Sequence, residues 1–150
     1  MGEKIITINR KARHDYFIIE IYEAGLVLTG GEVKSLRDGK VNIGDSFGRI
    51  EQGEAFLYNM HISPYFYDSE EEYEPLRTRK LLLHHEEINR LLGKMSQKGL
   101  TLIPLKLYFK KGKAKIELGL AKGKKIHDKR EALKKRADRM EVDRAMRGRK

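Results

Sequence analysis

Two short strings contain residue types that could hold a metal ion or a nucleotide phosphate. The run His84-His85-Glu86-Glu87 has imidazole and carboxylate groups, but a zinc peptidase helix needs a second histidine four residues after the first, and position 88 is isoleucine. Residues 119–125 resemble a phosphate loop, yet three residues rather than four separate the glycines, and Lys125 replaces the serine or threonine that would bind magnesium. We therefore expect no metal site, no cofactor and no enzymatic activity.

Two other groups combine cationic side chains with rings, the combination that binds single-stranded nucleic acid. Lysine and arginine pair with phosphates, and tyrosine or histidine rings stack on unpaired bases. The first group comprises Asn9, Arg10, Lys11, Arg13, His14 and Tyr16, and the second comprises Lys122, Lys124, Lys125, His127, Lys129 and Arg130. A solvated N-terminal strand and a plain basic linker are the corresponding structural alternatives.

The distribution of charge also favours a polyanionic partner. The chain has 150 residues, a formal net charge of +10 and no cysteine. Residues 121–150 contain 13 lysines or arginines and 5 acidic residues, a net charge of +8, which leaves +2 for residues 1–120. Lysine and arginine side chains that bind nucleic acid displace its condensed counterions, and the release of these ions to solution favours binding. The concentration of positive charge in residues 121–150 therefore predicts an RNA or DNA partner. A basic tail that only confers solubility is the alternative.

The hydrophobic pattern predicts a β structure that positions these groups. Aromatic and β-branched runs separated by glycines indicate strands at residues 15–24, 26–28, 46–51, 55–62, 77–83, 102–109 and 115–121. Apolar residues at helical spacing indicate short helices at 32–37 and 85–97. We expect Gly25 to break the first strand and Pro104 to lie at a sheet edge. About six short strands with two short helices predict a small closed antiparallel barrel similar to the oligonucleotide-binding fold.

The composition divides the chain into a barrel domain, residues 1–122, and a basic tail, residues 123–150. The tail contains few large apolar residues, so we expect it to be disordered when free and helical against a polyanion. Residues 65–75 are rich in acidic side chains and are predicted to form a solvated loop. No apolar run approaches the ~20 residues needed to span a membrane, and no signal segment is recognised. We expect a soluble cytoplasmic protein.

Several ordered strings resemble the SsrA-binding protein (small protein B) family. They are residues 9–18, 23–25, 31–37, 61–65, 77–83, 104–109, 121–125 and 128–130. The match runs in order from Asn9 into the tail, and it is more specific than any single glycine motif. Two features depart from the family pattern, namely Gly31 before Glu-Val-Lys-Ser and the acidic run 68–74.

The resemblance implies an oligonucleotide-binding-like barrel that binds transfer-messenger RNA, and a role in trans-translation, the rescue of stalled ribosomes. By motif, RNA binding is assigned to Glu23, Leu82 and Lys115, with Asn9, Lys11, Arg13, His14, Glu32 and Lys34 on the same surface. Glu32 cannot attract phosphate, so it is expected to position a lysine or to hydrogen-bond a base or ribose. The tail residues expected in the decoding centre and message channel of the small ribosomal subunit are His127, Asp128, Lys129, Arg130, Lys134, Lys135 and Arg136.

The expected mechanism has two parts and no catalytic step. The barrel recognises the transfer-RNA-like domain by shape and unpaired bases, while the tail becomes helical only where no message occupies the channel. We expect a monomer that needs no membrane. The alternative function is a generic oligonucleotide-binding barrel that coats single-stranded nucleic acid without a ribosomal role.

Overall fold

The computed structural model describes residues 3–65, 73–97 and 99–123. Within these ranges the helices are α1 (Arg10–Asp15), α2 (Gly30–Arg37) and α3 (His85–Met95). The strands are β1 (Glu3–Ile8), β2 (Tyr16–Leu26), β3 (Val41–Asn42), β4 (Phe47–Glu51), β5 (Glu54–Tyr58), β6 (His61–Ile62), β7 (Arg79–Leu82), β8 (Leu100–Lys110) and β9 (Lys113–Gly123). None of these helices has the length and apolar character needed to cross a lipid bilayer.

Six antiparallel strands form a closed ring. Their order is β8-β4-β5-β7-β2-β9, and the ring closes because β9 also pairs with β8. The remaining strand of this sheet, β1, pairs with β8 outside the ring, and β3 and β6 form a separate two-stranded sheet. The prediction of a small closed antiparallel β structure of about six strands is confirmed.

The ring encloses the hydrophobic core. Every second residue of β9 points into the ring, as the two-residue period of a strand requires. These residues are Ile116, Leu118 and Leu120, and all three are fully buried. Leu57 of β5 and Leu102 of β8 face them in the same cluster. Helix α3 adds the buried side chains of Ile88 and Leu91, whereas Leu92, which also lies at helical spacing, is 52% exposed. The predicted α3 is therefore present, with a narrower apolar face than the sequence indicated.

Helix α1 was not predicted, because residues 10–15 are mostly charged. A single side chain, Ala12, anchors it by packing outside the ring against Ile103, Leu105 and Ala121. One small apolar residue gives no periodic signal in the sequence. Tertiary packing therefore determines this short helix, as is common where intrinsic propensity is weak.

The prediction that Gly25 breaks the first strand is wrong, since β2 continues through it to Leu26. A Cβ atom at Gly25 would lie 3.3 Å from the Cβ of Leu82, so this glycine permits the close approach of β7. The predicted strand 55–62 is divided into β5 and β6 around Asn59, which has a left-handed φ of 62°. Asparagine tolerates this conformation better than most residues.

The prediction that Pro104 lies on a sheet edge is also wrong. Strand β8 pairs with β1, β4 and β9, so it is internal to the sheet. Pro104 lies between the end of the β1 pairing at Lys106 and the β4 pairing at Leu102, next to a register shift. Its missing N–H is tolerated there because neither neighbour reaches it on that side. The side-chain amide of Asn9 donates to its carbonyl oxygen at 2.9 Å.

We predict that Gly48→Ala destabilises the protein by about 1–3 kcal/mol, because overpacking a dense core has this cost. A Cβ atom at Gly48 would lie 2.7 Å from Cδ2 and 3.1 Å from Cγ of Leu102, which is fully buried. Urea denaturation measures the change in the free energy of unfolding.

The matched control is Gly93→Ala in α3, where a new Cβ meets nothing within 4 Å. This change should leave stability unchanged or raise it by up to about 1 kcal/mol, since alanine is the better helix former. Equal effects of the two substitutions would contradict the packing of β4 against β8.

Candidate nucleic-acid interface

Three strands converge on an open groove, which we call the Leu82 groove. Gly25 of β2 is the Cα partner of Leu82 in β7 on one side and of Lys115 in β9 on the other. The groove has a volume of about 310 Å³, and its walls include Val33 of α2 and Phe109 of β8. Leu82 is 53% exposed, so an apolar side chain and a cation border the same concave surface.

Glu23 lies two residues before Gly25 on β2 and is held by the β8 strand. Its Oε2 atom accepts a hydrogen bond from the hydroxyl of Tyr108, and the Nζ atom of Lys110 lies 3.5 Å from the same oxygen. The Tyr108 hydrogen bond holds the pKa of Glu23 below its usual value, while burial and the same contact raise the pKa of Tyr108. Glu23 is therefore an oriented, ionised hydrogen-bond acceptor beside the groove.

Helix α2, which contributes Val33 to the lining of the Leu82 groove, carries two further cations. The guanidinium of Arg37 lies 5.9 Å from the ring centroid of Phe109, and the ammonium of Lys34 lies 5.4 Å from that of Tyr65. Lys113 joins Lys115 in lining the groove from β9. Positive groups thus flank an apolar floor, an arrangement suited to a folded polyanion that also presents base or sugar surfaces.

Glu32 is buried inside the protein, and this position corrects the expectation that it hydrogen-bonds a base or ribose. Its side chain is fully inaccessible to solvent, and its two carboxylate oxygens contact two arginines. Arg77 Nη2 lies 2.5 Å from Oε1, and Arg79 Nη2 lies 2.5 Å from Oε2. The partners of Glu32 are arginines of another segment and not the neighbouring lysine that the sequence suggested.

The Glu32 cluster joins several segments. Thr29 and Glu32 form a capping box at the start of α2, with the Thr29 N–H donating to Oε1 at 2.9 Å. Arg79 also donates to the carbonyl oxygen of Met60, and the hydroxyl of Tyr73 lies 2.8 Å from the carbonyl oxygen of Ile62 and 3.2 Å from Glu32 Oε2. Burial alone would raise the pKa of Glu32, but the hydrogen bonds from Arg77, Thr29 and Arg79 lower it overall.

The N-terminal group of predicted RNA-binding residues lies at the other end of β2. Lys11, Arg13 and His14 are exposed on α1, and Tyr16 begins β2 opposite Gly123. Lys122 is exposed and pairs with Phe17 in the neighbouring register position. Tyr16 and Glu23 are seven positions apart, or roughly 20 Å along an extended strand. The two groups expected to share one surface therefore occupy opposite ends of the β2–β9 ribbon.

The remaining predicted site residues lie outside the described residues. They are Lys124, Lys125, His127, Asp128, Lys129, Arg130, Lys134, Lys135 and Arg136. The same holds for most of the predicted acidic loop at 65–75. The last described residue, Gly123, places the start of the predicted tail beside Tyr16 and away from the Leu82 groove.

Sequence reasoning missed the residues that hold the groove in shape. Arg77, Arg79 and Tyr73 gave no signal because nothing in the sequence showed that a buried carboxylate would face them. One signal was available: Thr29-Gly30-Gly31-Glu32 has the spacing of a capping box, which indicates that Glu32 is committed to a helix start.

Comparison with protein families places these features in a known context. A family model described as SmpB protein matches residues 6–148. The SsrA-binding protein of Carboxydothermus hydrogenoformans is 63% identical over 147 residues, which cover 98% of this chain and 99% of that protein. The SsrA-binding protein of Geobacillus thermodenitrificans is 60% identical over 146 residues, which cover 97% and 94% of the two chains.

A solved structure supports the same relation. A chain described with the words "tmRNA-SmpB: a journey to the center of the bacterial ribosome" superposes with a TM-score of 0.66 at 59% sequence identity. The match covers 79% of this chain and 83% of the other.

We predict that Glu32→Gln destabilises the protein by about 3–5 kcal/mol, because it leaves buried arginine charge without its counter-charge. The pKa of Glu32 is lower in the folded chain than its usual value of 4.5, so its contribution is fully present above about pH 4.5. That contribution is lost as the pH falls through the folded-state pKa. The difference between wild type and variant, measured by urea denaturation, should therefore shrink at acid pH.

The control is Glu54→Gln, which removes an exposed pair with Lys80 whose side chains are 45% and 52% accessible. Exposed pairs contribute about 0–1 kcal/mol, so this variant should stay close to wild type. Similar losses in both variants would contradict the structural role of Glu32.

Proposed function

This chain belongs to the SmpB protein family, and on that premise we propose that it binds transfer-messenger RNA and delivers it to stalled ribosomes in trans-translation. It acts by binding, in the cytoplasm, as a monomer and without a catalytic step. The observation that carries the site assignment is the convergence of Leu82 and Lys115 across Gly25, with Glu23 next along β2. The amino-acid composition gives no indication that these residues are neighbours.

The Leu82 groove supplies the chemistry for gripping the folded RNA. Side chains cannot read the deep, narrow major groove of an RNA helix, so proteins recognise such RNA by phosphate, ribose and unpaired-base contacts. Lys115 pairs with a phosphate, Leu82 packs against an exposed base or sugar, and Glu23 accepts from a ribose hydroxyl or base amino group. Glu23 is suited to this because Tyr108 and Lys110 both contact Oε2 and thereby orient the carboxylate.

The roles of Glu32 and Lys34 differ although they are close in sequence. Glu32 fixes α2 and β7 and acts on the RNA only through the shape of the groove. Lys34 is exposed on the same helix and contributes a positive charge next to Tyr65. Residues 31–37, one of the strings shared with the family, therefore contain one structural residue, Glu32, and one interface residue, Lys34.

The opposite end of the β2–β9 ribbon serves the ribosome. Lys11, Arg13 and His14 are exposed on α1, which leads directly into Tyr16, and Lys122 is exposed on β9. Tyr16 pairs with Gly123, where the segment 123–150 begins. With a net charge of +8 over residues 121–150, this segment binds the RNA of the decoding centre and the empty message channel. An occupied channel excludes it sterically, which distinguishes stalled from translating ribosomes.

A binding titration separates this function from generic coating of single strands. At matched salt, the protein should bind the transfer-RNA-like domain of transfer-messenger RNA more tightly than an unstructured RNA of equal length. Equal affinity for both would favour the generic function.

For Lys115→Ala we predict weaker binding of transfer-messenger RNA and a shallower salt dependence. The slope of log K against log salt should decrease by about 0.7–0.9 if one phosphate contact is lost. The measurement is fluorescence anisotropy at several salt concentrations. Lys80→Ala is the matched control, because Lys80 is exposed on β7 but pairs with Glu54. An unchanged slope for Lys115→Ala would place this residue off the interface.

For a chain that ends at His127 we predict nearly normal affinity for transfer-messenger RNA and no tagging of stalled peptides in a reconstituted translation system. The physical reason is that the barrel carries the RNA grip and the removed segment carries the ribosome contact. Loss of most RNA affinity in this truncated chain would contradict the division of roles.

A further inference from the structure

A second groove lies at the α1 end of β2, and we call it the Ser46 groove. Its volume is about 380 Å³, within the range of pockets that hold small organic ligands. Its lining includes Lys11 and Tyr16, the turn that leads into β4, and Thr101 of β8. It shares no lining residue with the Leu82 groove.

Ser46 provides an unusual group in this groove. The residue is only 5% exposed, and its hydroxyl has no hydrogen-bond partner among the residues that the structure describes. Its backbone N–H, by contrast, donates to the carbonyl oxygen of Ile43 at 3.2 Å. Buried side-chain polar atoms are nearly always paired, because leaving one unpaired is costly. The hydroxyl oxygen itself is covered by neighbouring atoms, so it would meet a ligand in the groove after a rotation about χ1 of Ser46.

The other polar groups of the groove select a base over a phosphate. Asp45 and Asp15 are both among its lining residues, and Asp15 Oδ1 lies 3.1 Å from the ring Nδ1 of His14. Two carboxylates disfavour a phosphate inside the groove and can accept from an amino group. A phosphate attached to such a ligand would instead meet the exposed ammonium of Lys11 at the groove side.

Two aromatic residues belong to the lining of the groove. Tyr16 and Phe47 both line it. The Phe47 ring is fixed by stacking on Tyr58, with ring centroids 5.5 Å apart and an interplanar angle of 8°. Rigid aromatic surfaces favour planar ligands, and stacking of bases on aromatic side chains is a main contribution to the binding of unpaired nucleotides.

We propose that the Ser46 groove binds one unpaired nucleotide whose base carries an amino group next to a ring nitrogen acceptor, as adenine and cytosine do. The Asp45 carboxylate accepts from the amino group, the Ser46 hydroxyl donates to the ring nitrogen, and Lys11 pairs with the phosphate. This inference rests on the proposed RNA-binding function, and it adds a base-selective subsite on a different surface from the Leu82 groove.

The direct test uses mononucleotides as probes of the full-length protein. Adenosine and cytidine 5′-monophosphates should produce saturable NMR shifts of the backbone amides of Gly44, Asp45, Ser46 and Thr101. Ribose 5-phosphate, which has the same sugar and phosphate but no base, should shift only the Lys11 side. Uridine 5′-monophosphate should bind more weakly than the two amino-bearing nucleotides. Equal shifts with ribose 5-phosphate, or none with any nucleotide, would overturn the proposal.

Two serine variants separate a ligand contact from a structural contact. Ser46→Ala should weaken adenosine monophosphate binding by about 5- to 10-fold, the effect of one hydrogen bond, and should leave the melting temperature unchanged or higher. Ser35→Ala is the matched control, because its buried hydroxyl donates to the carbonyl oxygen of Ser63 at 2.7 Å. It should lower the melting temperature and leave nucleotide affinity unchanged.

The measurements on the Ser46 groove can fail independently of the test of the proposed function. A marked fall in its melting temperature would show that the hydroxyl has an internal partner, which overturns the subsite. Wild-type protein that shifts with adenosine monophosphate but shows no preference for transfer-messenger RNA would retain the subsite and reject the ribosomal role. The reverse result would retain that role and reject the subsite.

Discussion

The buried ion cluster around Glu32 is the constraint on which the Leu82 groove depends. Strand β7 pairs with β2 at only two positions, Gly25 with Leu82 and Leu26 with Leu81, so the ring is narrowly closed there. The Glu32 carboxylate at the start of α2 contacts Arg79, the first residue of β7, and Arg77, which lies two residues before it. A buried charge is costly to desolvate, so this cluster is stable only while both sides remain in place. The cluster therefore links the position of α2 to the register of β7. These two elements form two walls of the Leu82 groove.

The missing side chain at Gly25 completes this geometry. The ion cluster fixes β7 along its length, and Gly25 lets Leu82 approach to 3.3 Å from where a Cβ would lie. On the other side of Gly25, β9 presents Lys115 in register. An apolar contact, a cation and the oriented Glu23 acceptor thus occupy neighbouring strand positions. Strand pairing sets their spacing, so the groove is formed before RNA binds and little of its order has to be created on binding.

Sequence patterns predicted the features that depend on local periodicity, and they failed where distant segments determine the outcome. The strand runs and the spacing of Ile88 and Leu91 identified the ring and α3, since alternation and helical period are local signals. Helix α1 was missed because one alanine packed on another strand stabilises it. Glu32 was assigned to the interface because its burial depends on Arg77 and Arg79, more than forty residues away. Motif resemblance predicts a shared RNA-binding role for Glu23, Leu82 and Lys115, and strand pairing shows that they are neighbours.

The distribution of charge gives the two ends of the molecule different physical tasks. Residues 1–120 have a net charge of only +2, so long-range attraction contributes little to how this part selects its RNA. Its selectivity has to come from contacts at short range, and those that we propose are made by Leu82 and Glu23 within a preformed groove. Residues 121–150 have a net charge of +8, and they attract polyanions over the ~8 Å screening length of physiological salt. Because this charge begins at the Tyr16 end of the ribbon, roughly 20 Å from Glu23, one RNA can occupy the groove while the basic segment engages another.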